Sequence, residues 1–157
     1  MRLDRRRLLQ GTAAVAAGGV GSLAGCADGG GDSEPGIPVE PNYRDWFDNV
    51  SNYTTTKDRR NEDATTVKVG VSANNGKLGF GPPAIAISPD TEVVWDWTGD
   101  GGEHNVVSRT SLFDSGDPVR AGSTTFEHTF ERPGIFKYVC EPHASIGMKG
   151  AVFVALE

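Results

Sequence analysis

Phe136-Lys-Tyr-Val-Cys140-Glu-Pro-His143-Ala-Ser-Ile-Gly-Met148 changes character halfway along. Its first part alternates, with Phe136, Tyr138 and Cys140 on one side, the period-two pattern of a strand that buries one face. Its second part has no period and carries Pro142 and Gly147, so it reads as a loop. By parity the Cys140 sulfur points inward at the end of its strand. The loop that follows can curl back and bring His143 and Met148 to the same point. Pro142 stiffens that loop and has no N–H to offer the sulfur.

Outward from this stretch the period of two recurs. Val67, Val69 and Val71 alternate, as do Ile85 and Ile87, Val93, Trp95 and Trp97, Phe126, His128 and Phe130, and Val152 and Val154. Between these runs stand turn signals: Asn74-Asn-Gly76, Gly81-Pro-Pro83, Ser88-Pro-Asp90, Gly99-Asp-Gly-Gly102, Ser115-Gly-Asp-Pro118 and Arg132-Pro-Gly134. Many short strands with one apolar face, separated by turns, predict an all-β sandwich of about 95 residues. No internal repeat is visible, so one domain with one site is expected.

The N-terminal third is organised differently. Tyr43, Trp46, Phe47 and Val50 are spaced i, i+3, i+4, i+7 and predict a short amphipathic helix packed on the sandwich. Residues 26–41, including Asp28-Gly-Gly-Gly-Asp-Ser-Glu-Pro-Gly36, have the composition of a disordered, flexible tether. Residues 1–25 read as an export signal: Asp4-Arg-Arg-Arg-Leu-Leu-Gln10 resembles a twin-arginine motif, followed by a Gly- and Ala-rich apolar run. That run is shorter than the ~20 residues a spanning helix needs. It ends in Leu23-Ala24-Gly25-Cys26, which resembles a lipobox, making Cys26 the expected site of lipid attachment. A diacylglyceryl group would supply the two chains that stable anchoring takes.

The donor chemistry is concentrated. Of two methionines, only Met148 is not the initiator, and of two cysteines only Cys140 lies beyond residue 26. A Cys26–Cys140 disulfide would consume the best metal ligand in the chain, whereas lipidation of Cys26 leaves Cys140 a free thiolate. His104 follows a Gly-rich turn where the backbone can approach a metal closely, and it is expected to begin a strand through Val107. Its competitor His128 sits between two phenylalanines, the setting of a core histidine. Two imidazoles, a thiolate and a thioether from His104, Cys140, His143 and Met148 form the donor set of a type 1, blue copper electron-transfer site. Asn105 is expected to hold the two ligand loops together, with Pro142 tuning the sulfur.

These donors exclude other chemistries. Copper catalysis needs an open position or further metals, whereas all four donors here are side chains and the chain has three histidines in all. Structural zinc prefers additional Cys or His to a thioether. Beyond residue 25 the chain carries 11 Lys and Arg against 20 Asp and Glu, a net charge of −9, the opposite of a nucleic-acid footprint. In so acidic a chain, Pro142, Ala144, Ile146 and Gly147 make an unusually apolar loop around His143, the expected docking patch for electron exit.

Residues from about Tyr43 to Leu156 also resemble the halocyanins, small blue copper proteins of the plastocyanin/cupredoxin family. The resemblance is carried by Phe80-Gly-Pro-Pro83, Trp95-Asp-Trp-Thr98, Gly102-Glu-His-Asn-Val106, Phe113-Asp-Ser-Gly116, Thr125-Phe-Glu-His-Thr-Phe130, Cys140-Glu-Pro-His143 and Gly147-Met-Lys-Gly150, in that order. It implies a cupredoxin-like, eight-stranded Greek-key β-sandwich, with residues 42–157 as a plastocyanin-like copper domain. It implies one copper ion held by His104, Cys140, His143 and Met148, and no enzymatic activity. It further implies a monomeric electron carrier, lipid-anchored on the extracytoplasmic face of the cell membrane, with membrane redox complexes of a respiratory chain as donor and acceptor.

Overall fold

Two sheets face each other in the computed structural model, which describes residues 34–156. The strands are β1 (Lys57–Asp58), β2 (Ala64–Ala73), β3 (Gly76–Gly81), β4 (Ala84–Ile87), β5 (Thr91–Trp97), β6 (Val107–Ser108), β7 (Thr125–Phe130), β8 (Gly134–Val139) and β9 (Lys149–Val154). One sheet has the order β1-β4-β9-β8-β6 and the other β3-β2-β5-β7. The described residues thus hold nine strands rather than the implied eight, because β1 and β6 count although each has two residues. The pairs β1/β4, β2/β5 and β4/β9 are parallel.

The alternating residues meet between the sheets. Val67, Val69, Val93, Trp95, Trp97, Ile85, Ile87, Tyr138, Val152 and Val154 are all buried in one cluster, with Phe80, Phe113 and Phe130 filling the remaining space. Trp95 lies at its centre, with the ring centroids of Phe113 and Tyr138 each 5.3 Å away. One expected core residue is displaced. The β2/β3 register shifts between Val69 and Val71, so Val71 is only half-buried and Ala73 takes the inward position.

All four residues of β4 are buried, which a two-layer sandwich does not explain. Ile85 and Ile87 join the inner core. Ala84, with Ala151 of β9, is covered on the outer face by Tyr43, Phe47 and Val50. The stripe thus packs as its spacing predicts, but not as a helix. Residues 44–49 form successive turns, with N–H groups of Trp46, Asp48 and Val50 donating to carbonyls three residues back at 3.0–3.3 Å. Arg44 has φ 57°, a left-handed conformation incompatible with helix, and the Asn42 side chain accepts the Arg44 N–H. Trp46 fastens this cover: its indole N–H donates to the Gly150 carbonyl at 3.0 Å, and the Lys137 and Lys149 ammoniums stand 5.2 and 4.8 Å from its ring.

The expected tether is also shorter than its composition suggests. Gly36 bridges Lys57, Ile37 is buried, and Arg59 donates to the Glu34 carboxylate at 2.6 and 3.1 Å. Glu40 accepts hydrogen bonds from the Thr55 and Thr56 hydroxyls, the Thr56 N–H and the Tyr53 hydroxyl. Residues 34–41 are therefore part of the domain. A run rich in Pro, Gly and acid looked like linker because its partners lie 13 to 25 positions away. The expected export signal and Cys26 lie outside the described residues.

Candidate metal centre

β8 ends at Val139 and delivers Cys140, whose N–H donates to the Met148 carbonyl at 3.0 Å. Between these two residues the chain makes a 3₁₀ turn over Glu141–Ile146, with Pro142 in its first turn. The turn stops at Gly147, with φ 103°. A side chain there would strike the Asn49 carbonyl and press on the Asn74 amide oxygen, so glycine is required both by conformation and by space. The His143 carbonyl accepts the Met148 N–H at 3.1 Å. These bonds fold the loop so that Cys140 and Met148 are both wholly buried, while His143 stays partly exposed.

His104 arrives from the facing loop. It does not begin a strand through Val107; it forms an isolated bridge with Val119, and the strand itself covers only Val107–Ser108. The bridge is made by two backbone hydrogen bonds of 2.9 Å, and the His104 carbonyl also accepts the Trp97 indole N–H at 3.0 Å. Its Nε2 lies 2.8 Å from the Asp100 carbonyl. A carbonyl can only accept, so Nε2 carries the proton and Nδ1 presents a lone pair. A Cβ on Gly101 would meet both the Lys77 carbonyl and His104 Nε2, which is why the turn before His104 is glycine-rich.

His104 Nδ1, His143 Nδ1 and Cys140 Sγ form a triangle with edges of 3.2, 3.5 and 3.6 Å. The centre of such a triangle lies ~2.0 Å from each corner, close to the ~2.0–2.1 Å of bonds between imidazole nitrogen and a first-row metal ion. Among the described residues these three form the cluster of His, Cys, Asp and Glu able to hold a metal. Met148 is buried with Cys140 in the same core cluster, adding a soft thioether beside the soft thiolate. The donor set therefore fits a copper ion. His128 lies on β7, its ring packed against Phe113 and Phe130 at 5.1 and 4.8 Å, and is not in the cluster.

Electrostatics favour the neutral forms of His104 and Cys140. Burial lowers the His104 pKa, opposed by the hydrogen bond to the Asp100 carbonyl, and His143 lowers it further. Burial pushes the Cys140 thiol up, while the backbone N–H groups of Asn105 and His143 pull it down and the Glu141 charge raises it.

Asn105 is fully buried and ties three loops together. Its Nδ2 donates to the Gly116 carbonyl at 3.1 Å and to Glu141 Oε1 at 2.8 Å, and its Oδ1 accepts the Glu141 N–H at 2.8 Å. A second clamp was read in the sequence only as a turn. Asn74 Nδ2 donates to the Gly147 and Leu78 carbonyls at 2.9 and 2.8 Å, and its Oδ1 accepts the Ser51 N–H at 3.0 Å. It thus pins the ligand loop to the β2–β3 hairpin and to the Tyr43–Val50 cover. The Asn74-Asn-Gly76 signal could reveal the hairpin, but not a bond to a residue 73 positions away. Of the apolar loop residues, Pro142 and Ile146 are exposed, Ile146 by 47%, and Ala144 is half-buried. Gly147 is buried under Asn49 and Asn74 and adds no surface.

Residues 66–155 match the family model described as copper binding proteins, plastocyanin/azurin family. A halocyanin from Natronomonas pharaonis is 46% identical over 100 residues, 62% of this chain and 60% of its own length. A chloroplastic plastocyanin from Physcomitrium patens is 34% identical over 101 residues, 59% of this chain and 58% of its own. The chain thus spans about three-fifths of the length of these relatives. Among solved structures, a purple cupredoxin from Nitrosopumilus maritimus is 29% identical, with a TM-score of 0.48 over 58% of this chain and 99% of its own.

Proposed function

Because the chain belongs to the plastocyanin/azurin family of copper-binding proteins, we propose that it is a one-electron carrier rather than an enzyme. Its cofactor is one type 1 copper ion, which when bound supplies a Cu(II)/Cu(I) couple. The ligands are His104 Nδ1, His143 Nδ1, Cys140 Sγ and the Met148 sulfur. The observation that carries this reading is the donor triangle, whose edges of 3.2–3.6 Å suit one ion at its centre.

The residues around the triangle suit an electron carrier. Asn105 and Asn74 brace the ligand loops from both sides, so the donors need not move between oxidation states. The bridge to Val119 and the Asp100 carbonyl fix the His104 ring. With both strands and ligand loops held, little reorganisation opposes transfer. His143 turns Nδ1 toward the triangle and is partly exposed, so its opposite ring edge offers the short route to a partner. Pro142, Ala144 and Ile146 form an apolar rim around that edge, suited to brief docking that excludes water.

We further infer that the protein acts as a monomer at the membrane surface, held on the extracytoplasmic face by lipid on Cys26. There it exchanges electrons with membrane redox complexes of a respiratory chain. The Leu23-Ala24-Gly25-Cys26 motif supports the anchor. The similarity to halocyanin supports the carrier role.

The test is the visible spectrum of the Cu(II)-loaded protein. An intense thiolate-to-copper absorption is expected, and Cys140→Ser should abolish it while leaving the sandwich folded by circular dichroism. Intense blue colour in that variant would sink the assignment.

A further inference from the structure

Met148 depends on its surroundings more than the other donors do. A thiolate and two imidazoles bind copper strongly enough to hold their own side chains in place, whereas a long, weak axial thioether cannot draw its loop to the metal. The position of Met148 is therefore set by whatever holds the backbone on either side of it.

Both sides are held by residues outside the ligand loop. On the N-terminal side, the Gly147 carbonyl accepts Asn74 Nδ2 at 2.9 Å, and Gly147 fits under the Asn49 carbonyl with no room for a Cβ. On the C-terminal side, the Gly150 carbonyl accepts the Trp46 indole N–H at 3.0 Å, while a Cβ on Gly150 would strike the Tyr138 ring. Asn74 is in turn fixed to the cover: its N–H donates to Ser51 Oγ at 2.6 Å, and its Oδ1 accepts the Ser51 N–H at 3.0 Å. The cover is itself pinned where it makes these contacts. Tyr43, Phe47 and Val50 are buried, Phe47 stacks on Tyr53 at 4.1 Å, and Asn52 Nδ2 donates to the Phe80 carbonyl at 2.8 Å. All of residues 43–53 precede residue 66, where the match to the copper-protein family model begins.

We propose that residues 43–53, acting through Trp46 and Asn74, position Met148, so that a segment outside the matched copper domain helps to set the reduction potential of the site. The proposal rests on the copper reading and on Met148 as the fourth donor. Trp46 and Asn74 are positioning residues: neither is a donor, and each grips the backbone within two residues of Met148. Loosening that grip lets the thioether sample positions off the metal. Axial donation then weakens and Cu(I) is favoured, the same direction as removing the thioether altogether.

The test is a double-mutant cycle on the copper-loaded full chain, read by voltammetry. Asn74→Gly removes the amide, suits the left-handed φ of 56° at this position, and leaves the backbone bond to Ser51 Oγ in place. It should keep the blue colour and raise the potential by the equivalent of about a threefold or larger shift toward Cu(I), roughly 28 mV at ~59 mV per tenfold. In the Met148→Leu background the same substitution should produce no shift. Trp46→Phe keeps an aromatic ring beside Lys137 and Lys149 and removes only the N–H. It should show the same sign and the same dependence on Met148, and it carries the test if the glycine variant does not fold. Unchanged potentials in both variants would overturn the proposal. Shifts of equal size with and without the Met148 thioether would overturn it too, by tracing them to a general loosening of the site. A wild-type chain that binds copper without the intense thiolate absorption would sink the copper reading itself, before any variant is compared.

Discussion

At the level of single residues, the site divides into donors that are rare in the chain and braces that are not. With copper bound as proposed, the thioether of Met148 would be its weakest donor, and leucine in its place would leave a drier, less electron-rich site. Met148→Leu should therefore keep its blue colour and show a raised reduction potential by voltammetry; an unchanged potential would place Met148 off the metal. Asn105→Ala would truncate a fully buried side chain and remove the partners of the part-buried Glu141 N–H and Gly116 carbonyl, a loss of about 1–3 kcal/mol. A lowered denaturation midpoint in the metal-free protein would register it. His104, Cys140 and His143, which the structure gathers, could be picked out in the sequence because the chain has only three histidines and two cysteines. Asn74 could not be named. Asparagine is common in turns, and nothing local distinguishes one that only turns the chain from one that reaches a distant loop.

At the level of elements, strands were legible and their exceptions were not. A strand announces itself by alternation within a few residues, whereas the β2/β3 register shift between Val69 and Val71, the turns at 44–49 and the packing of residues 34–41 are decided by contacts distant in sequence. The 34–41 segment gives a pH prediction. Burial tends to raise the Glu40 pKa, but hydrogen bonds from Thr55, Thr56 and Tyr53 outweigh it and hold the carboxyl below its ordinary value of 4.5. The folded state thus prefers the carboxylate. Its stabilisation is fully present above pH 4.5 and is lost as the pH falls through the lower folded value. Proteolysis within residues 34–41 should accelerate on acidification below that point, and Glu40→Gln should flatten the dependence. The ligand loop supports another test. Ile146 is 47% exposed, so Ile146→Lys should preserve spectrum and potential while slowing electron exchange with membranes by roughly tenfold or more, the effect of a lost apolar anchor worth ~1.4 kcal/mol or more. Unimpaired exchange would move the exit elsewhere.

At the scale of the whole molecule, the proposed anchor and the net charge are matters of sequence rather than of single contacts. Cys26→Ser should release the folded protein from membranes or leave its precursor uncleaved, as fractionation and mass spectrometry of the N-terminus would show. An unmodified native N-terminus near Cys26 would count against lipidation. The net charge of −9 beyond residue 25 sets up self-repulsion that salt relieves. The melting temperature should therefore rise between low salt and 1 M salt.

The position of β9 bears on how the molecule comes into being. It is the last of the nine strands in chain order, yet it sits at the centre of its sheet, between β4 and β8. During synthesis β4, β8 and the ligand-bearing loop all emerge before the strand that joins them. A nascent chain can form the β3-β2-β5-β7 sheet early, but the Cys140–Met148 loop has no second wall until residues 149–154 arrive. The pocket is thus complete only once β9 has emerged, and a ribosome stalled before Lys149 would hold a half-built sandwich with its thiol unguarded.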